Sequence, residues 1–362
     1  MTKRVLSLSM VFMKIKHTLY LLSILALFLT LASCATVKGN VYPLDKEYIR
    51  AEELPGELNR VVALNPNLVN LRIIGFSSNE KIPLYALEIG EKKAAKTVLL
   101  IGQHHGDEVL GVNIAMAYAR QLVMGYSNNT EYQKLLSQYR LWIVPSINPE
   151  GFKIVGSGKF QFKRKNNTDT DENKKLDLQT DGVDLNRNYP VFWDLDPDTN
   201  VSSQFYKGKE PMSESEIKAV VALAQQQNFE LAVFLHSSAS GAYSEKLYLP
   251  ARGHDKPLYV KNRELAKRYA ESVKKDYAKG TYTLHEGASS EVGNARNFFF
   301  HRMGCMAFLV EIGGINNYGQ SVIHPDGMML RKIVSKHVKA LDMLFELLSG
   351  GENGNTQEKG DK

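Results

Sequence analysis

Four short apolar runs recur along this chain, and several of them end in polar, chemically active residues: "KTVLLIG" (96–102), "RLWIVPSI" (140–147), "ELAVFLH" (230–236) and "CMAFLVEIG" (305–313). Consecutive Val, Ile and Leu over this length fit strands buried on both faces. Between and after them lie stretches of helical period: 109–123, 213–227, 261–277 and 329–348. In the second, Ser213 and Glu216 have capping-box spacing, and Ile217, Val220, Val221 and Ala224 share one face. Strands alternating with helices predict an α/β domain, with a mixed, largely parallel twisted sheet flanked by helices on both faces. Open sheets of this kind build their crevices at the carboxyl ends of strands, which is where the polar clusters fall. The pattern lapses between 153 and 210 into Asn- and Asp-rich chain, read as a functional loop or disorder.

The N-terminus is a separate object. "MKIKHTLYLLSILALFLTLASC" (13–34) has a basic start, a short apolar run and a small-residue end, the form of a secretory signal peptide that starts at Met1 or Met13. "LASC" (31–34) resembles a bacterial lipobox, which would make Cys34 the lipidated first residue of an exported chain anchored to a bacterial membrane, on its periplasmic or outer face. The expected organisation is a signal peptide over 1–33, a tether over 34–43, one catalytic domain over 44–349 and a solvated tail over 350–362. Residues 1–33 carry Lys3, Arg4, Lys14 and Lys16 and no acid, so the formal charge of +6 falls to +2 without them. So small a surplus argues against a nucleic-acid partner. With Cys34 acylated, Cys305 is the one thiol left and no internal disulfide can form.

The chemistry begins at "HHGDE" (104–108). His105–Glu108 and His104–Asp107 both have the His-x-x-acid spacing that lets two side chains at a strand-to-helix turn converge on one cation. Imidazole and carboxylate suit zinc, and a catalytic zinc takes three protein ligands and one water. His236, ending "ELAVFLH", stands where a third ligand would be expected, and Glu311 in "FLVEIG" where a general base would. In "GVDLNRNYP" (182–190), Asn186 and Arg187 offer an amide and a forked guanidinium, which together suit a carboxylate.

In order, "HHGDE", "INPEGF" with "GVDLNRNYP", "FLHSS" and "FLVEIG" resemble the zinc carboxypeptidases of the funnelin, or carboxypeptidase A-like, family; the matching blocks span 104–313. The resemblance implies one zinc held by His105, Glu108 and His236, with His104 a neighbour of the metal site. It implies Glu311 as general base, and Asn186 and Arg187 as the clamp for a terminal carboxylate. Arg164, in "FQFKRKNN", is the candidate for the arginine that polarises the scissile carbonyl. Arg296 falls near the position lining the family's side-chain pocket, where it would contact an acidic terminal residue or a diamino acid. The family's mobile tyrosine has no counterpart in 285–304; Tyr282 lies nearby. The implied activity is zinc-dependent hydrolysis of an amide next to a free carboxylate, in peptides or cell-wall stem peptides. Deacylation of N-acyl amino acids, as by proteins similar to succinylglutamate desuccinylase, is the alternative enzyme reading. A catalytically inactive envelope-binding lipoprotein is the non-enzymatic one.

Overall fold

The computed structural model describes residues 44–350, apart from 239–241, 255, 286–288 and 317–320. The signal segment, Cys34, the tether and the tail beyond Gly350 lie outside the described residues. The chain opens with helix α1 (Leu54–Leu64), strands β1 (Val69–Phe76), β2 (Pro83–Ile89) and β3 (Lys96–Ile101), helices α2 (Leu110–Gly125) and α3 (Thr130–Gln138), strand β4 (Tyr139–Val144) and helix α4 (Pro149–Gly156). After a long irregular segment come α5 (Ser215–Gln227), β5 (Leu231–Ser237), β6 (Lys246–Tyr248), α6 (Pro257–Ser272), β7 (Thr283–Leu284), α7 (Ala295–His301) and β8 (Met306–Ile312). A small hairpin of β9 (Gly314–Ile315) and β10 (Ser321–Val322) precedes the closing helix α8 (Gly327–Leu348).

Eight strands form one sheet in the order β1-β2-β4-β3-β5-β8-β6-β7. The four apolar runs of the sequence are its centre, and they pair in parallel: β4 with β3, β3 with β5, β5 with β8. Every residue of β5 is buried, as a strand covered on both faces requires. Towards the margins β1 with β2, β2 with β4 and β6 with β8 are antiparallel, while the edge strand β7 joins β6 in parallel, so the sheet is mixed. β1, β6 and β7 are short or half exposed (β1 reads buried, exposed, intermediate without a clean period), which is why the sequence pattern does not announce them; β2 is mostly buried, but Glu88 breaks its apolar run.

Two local expectations are corrected. Ser213 and Glu216 do not form a capping box: α5 begins at Ser215 after Glu214, with no side-chain cap. Ser213 Oγ donates instead to Glu214 (2.8 Å), while Glu216 accepts from the Ser78 backbone N–H (3.1 Å) and hydroxyl, tying α5 to the turn after β1. The helix expected over 261–277 runs from Pro257 to Ser272. Pro257 presets its first turn, and Val273 leaves helical geometry to accept from Tyr282 N–H (2.8 Å) with its side chain fully buried.

The polar stretch 153–210 is an ordered loop that caps the carboxyl ends of the strands. Short 3₁₀ turns at Leu185–Arg187 and Trp193–Leu195 interrupt it. It has little apolar side chain to bury, so it is held by buried cations on backbone carbonyls: Lys163 Nζ donates to Asp181 (2.8 Å), and Lys165 Nζ to Thr180 (2.5 Å) and Val201 (3.1 Å). Burial lowers both lysines to about 8.

Candidate metal centre

β3 ends at Ile101, and the chain turns sharply before α2 starts at Leu110. Gly106 is the pivot of this turn. A Cβ there would lie 2.5 Å from the Gly151 backbone of α4, so only glycine lets the turn sit this deep. Its N–H donates to Arg164 O (3.0 Å), joining the turn to the loop that carries Arg164. On the sheet side, parallel register pairs His236 of β5 directly with Glu311 of β8. Residues in register on neighbouring strands face the same way, so sheet geometry alone places this histidine beside this acid.

The donor atoms converge. His105 Nδ1 lies 2.8 Å from Glu108 Oε1, His236 Nδ1 2.8 Å from Glu108 Oε2, and the two Nδ1 atoms 3.2 Å apart. All three side chains are buried. Asp184 Oδ1 sits 3.0 Å from His105 Nε2; an ionised carboxylate there accepts a hydrogen bond from Nε2–H, which in the neutral ring leaves Nδ1 as a lone pair aimed at the cluster. Two imidazole nitrogens and a carboxylate thus point at one spot, and lone pairs at this spacing need a positive charge between them. Zinc bonds to N and O at about 2.0–2.2 Å, which sets tetrahedral ligands roughly 3.3–3.5 Å apart. The observed cradle is slightly tighter than that and of the right chemistry, so the residues fit a zinc ion.

The electrostatics agree. Burial and Arg164 push His105 towards its neutral form, but Glu108 and Asp184 outweigh them and raise it to about 9, so without a metal ion the ring holds the proton that a bound cation would replace at Nδ1. Burial opposes ionisation of Glu108, yet His105 and His236 hold its carboxyl far below the usual range. Burial, followed by the charge of Glu108, pushes Glu311 up to about 8. A carboxyl this easily protonated takes and returns a proton near neutral pH.

Arg164, Asn186, Arg187 and Arg296 line the same cavity, of about 580 Å³. Arg164 grips Asp184 Oδ2 through Nε (3.1 Å) and Nη2 (2.7 Å), which leaves Nη1 3.2 Å from His105 Nδ1 and 3.6 Å from Glu108. Asn186 uses its side-chain oxygen to accept from Ala295 N–H (3.0 Å) at the start of α7. Arg187 donates through Nη1 to Asn186 O (2.9 Å). Arg296, on α7, donates through Nε to Leu249 O (3.0 Å) and, among the described residues, has no carboxylate ion pair. Burial and then Arg187 lower its pKa to about 10, so two mutually repelling guanidinium groups share the cavity.

Other residues fall elsewhere. His104 stacks on His236 (ring centroids 5.1 Å) and meets Tyr189 OH at 3.1 Å, behind the ligands. Tyr282 is buried, donates to Gly313 O (3.4 Å) and packs on His337, away from the cavity. The cavity also takes Asp107, the acid of the alternative His-x-x-acid pair, and residues that the sequence patterns do not single out: Phe205, Tyr243 and Tyr248, with Asp184 just behind. Asp184 had a signal, standing two residues before Asn186 in the same polar motif. The two tyrosines belong to the turn into β6 and to that three-residue strand, where no periodicity marks them.

An α/β sheet with a buried His–Glu–His cradle and a carboxylate in register beside it defines a mononuclear metal centre of the hydrolytic type. A sequence profile of the zinc carboxypeptidases matches residues 56–333, and the chain belongs to the zinc carboxypeptidase family. Human mast cell carboxypeptidase A is 30% identical over 225 residues, which cover 61% of this chain and 51% of that protein. A zinc carboxypeptidase of Saccharothrix mutabilis subsp. capreolus is 29% identical over 151 residues, covering 40% and 33%. This chain thus spans about half the length, or less, of the curated relatives it matches. The fold is shared with a structure of thrombin activatable fibrinolysis inhibitor (TM-score 0.69, 20% identity, covering 84% of this chain and 78% of that one). It is shared equally with carboxypeptidase A of Helicoverpa armigera (TM-score 0.69, 17% identity, covering 90% and 80%).

Proposed function

We propose that this protein is a zinc-dependent carboxypeptidase that removes a C-terminal residue, with a preference for an acidic one. The observation that carries the reading is one cavity in which the metal cradle, Glu311, Arg164, Arg187 and Arg296 stand together. When bound, zinc supplies Lewis-acid polarisation of a carbonyl and lowers the pKa of a water molecule. Glu311 takes the proton of the attacking water and delivers it to the leaving amine. Arg164 Nη1 is aimed at the metal ligands, where negative charge develops on the carbonyl oxygen. Arg187 and the Asn186 amide hold the terminal carboxylate, so binding places the adjacent bond at the metal. Arg296, buried and without an acid of its own, takes a second carboxylate on the terminal side chain. A diamino acid carrying its own carboxylate, as in cell-wall stem peptides, meets the same requirement.

The same pair of arginines also suits an N-acyl dicarboxylic amino acid, which keeps deacylation as a second reading. Hydrolysis of a panel of free peptides, murein fragments and N-acyl amino acids, read by mass, separates them. Release of C-terminal Glu or Asp ahead of Lys and Leu supports the first reading, and cleavage confined to N-acyl amino acids replaces it. We propose also that Cys34 carries a lipid that anchors the exported protein to a bacterial membrane, on the strength of the lipobox-like "LASC". Among the described residues no helix is long and apolar enough to cross a membrane. A Cys34→Ala protein that stays membrane-bound would refute the anchor.

A further inference from the structure

The two arginines nearest the metal side of the cavity share a support from one segment of the long loop. Phe205 places its ring 5.1 Å from the guanidinium carbon of Arg164 and 5.5 Å from that of Arg187. It does so although 49% exposed, a position an isolated phenyl group gains little from occupying. The segment bearing it is closed on itself. Trp193 Nε1 donates to Lys207 O (3.0 Å), while Lys207 Nζ donates to Trp193 O (3.1 Å) and Asp196 O (2.5 Å) and sits 4.1 Å from the centre of the Trp193 ring. Lys207 is buried in this latch. Inside the closed segment, Asp196 brings Oδ2 to 3.7 Å from Arg187 Nε, and that buried oxygen has no hydrogen-bond donor.

We propose that residues 193–207 form a clasp, fastened by Trp193 and Lys207, whose Phe205 and Asp196 are positioning residues for Arg187 and Arg164. The inference rests on the carboxypeptidase reading and adds what presents its clamp. An arginine side chain free in solvent must give up many rotamers to bind a carboxylate in a fork. Here the Nε side of Arg187 is turned to Asp196, Nη1 is spent on Asn186 O, and the flat face is covered by Phe205. One Nη group remains for the ligand, already ordered. Arg164 is fixed likewise, by Asp184 along its edge and by Phe205 on its face. Ordering before binding lowers the entropic cost of taking up the ligand, so the clasp acts on substrate binding ahead of the chemical step.

The test compares kcat and KM for one peptide with a free C-terminal carboxylate and for its C-terminal amide. Phe205→Ala should raise KM for the free acid by about five- to thirty-fold, the size expected from losing two cation–π contacts, and leave kcat within about threefold, because Arg164 keeps both of its hydrogen bonds to Asp184. Its melting temperature should match that of the parent protein, because the ring is half exposed. Phe205→Tyr should restore KM, and Phe205→Leu, which keeps apolar cover but has no aromatic face, should not. Lys207→Met should reproduce the KM defect by opening the latch. A Phe205→Ala protein with unchanged KM, or a Phe205→Leu protein as good as Phe205→Tyr, overturns the clasp. Failure of the underlying reading looks different: the unmodified protein would then cut the acid and the amide equally well.

Discussion

At the scale of single residues, two carboxyl groups do different work although both stand beside the candidate metal ligands, Asp184 against His105 and Glu311 in register with His236. Glu311 is partly buried, raised to about 8 and not one of the three convergent donors. Glu311→Gln keeps shape and hydrogen bonding but cannot accept a proton. It should retain full zinc content and lose about 10²–10⁴-fold in turnover; wild-type rate in a zinc-loaded variant would remove Glu311 from its role. Asp184 acts through others, fixing the His105 tautomer with one oxygen and Arg164 with the second. Asp184→Asn should weaken zinc binding by roughly 10–100-fold and lower turnover even at saturating zinc, because Arg164 loses its charged anchor. Zinc affinity equal to wild type by competition with a chelator would show the tautomer to be fixed otherwise. The contrast also explains what was legible in the sequence. His105, Glu108, His236 and Glu311 each follow or end an apolar run, so strand geometry predicts where they sit. Phe205, Tyr243 and Tyr248 reach the cavity through the folding of loops and a three-residue strand, and no spacing in a linear pattern encodes that.

At the scale of elements, the centre of the sheet was legible because burial on both faces leaves unbroken apolar runs, whereas β1, β6 and β7 were not, since half-covered or very short strands leave none, and in β2 the polar Glu88 breaks the run. The boundary of α5 shows how tertiary contact displaces a local signal. Glu216 abandons the capping box for Ser78, at a price visible in its charge state. Burial, opposed by the Ser78 hydroxyl and reinforced by Glu214, raises its pKa from 4.5 to about 7. A carboxyl raised by folding binds a proton in the native state that the unfolded chain releases. Its contribution is therefore most favourable below pH 4.5 and is lost progressively as pH rises to about 7. The full excursion is on the order of 3 kcal/mol. Glu216→Gln cannot titrate, so its unfolding free energy should fall less steeply than that of the parent between pH 4.5 and 7, by urea titration at each pH. Parallel curves for the two proteins would mean that Glu216 stays charged throughout.

For the whole molecule, the metal ligands come from two places far apart in sequence, the turn before α2 and the strand β5, brought within a ring-to-ring distance of 4.7 Å. Without a metal ion the buried carboxylate of Glu108 is offset only by a proton on His105, which Glu108 and Asp184 raise to about 9; once that proton is lost, two lone-pair nitrogens and a carboxylate face one another, a local cost that the surrounding sheet must absorb. A cation removes that cost and binds only the folded chain, because the unfolded chain cannot keep residues 105, 108 and 236 together. Stability should therefore rise with free zinc as RT ln(1 + [Zn]/Kd), about 4 kcal/mol at a thousandfold excess over Kd. For a domain of this size each 1 kcal/mol moves the melting temperature by roughly 2–4 °C, so saturating zinc should raise it by about 8–15 °C over the chelated protein. His236→Ala should abolish most of that rise, whereas Glu311→Gln should keep it, since the base lies beside the cradle and is not part of it. A melting temperature indifferent to zinc and chelator would mean that the cradle holds no metal. The register that sets His236 beside Glu311 would then be a feature of packing alone.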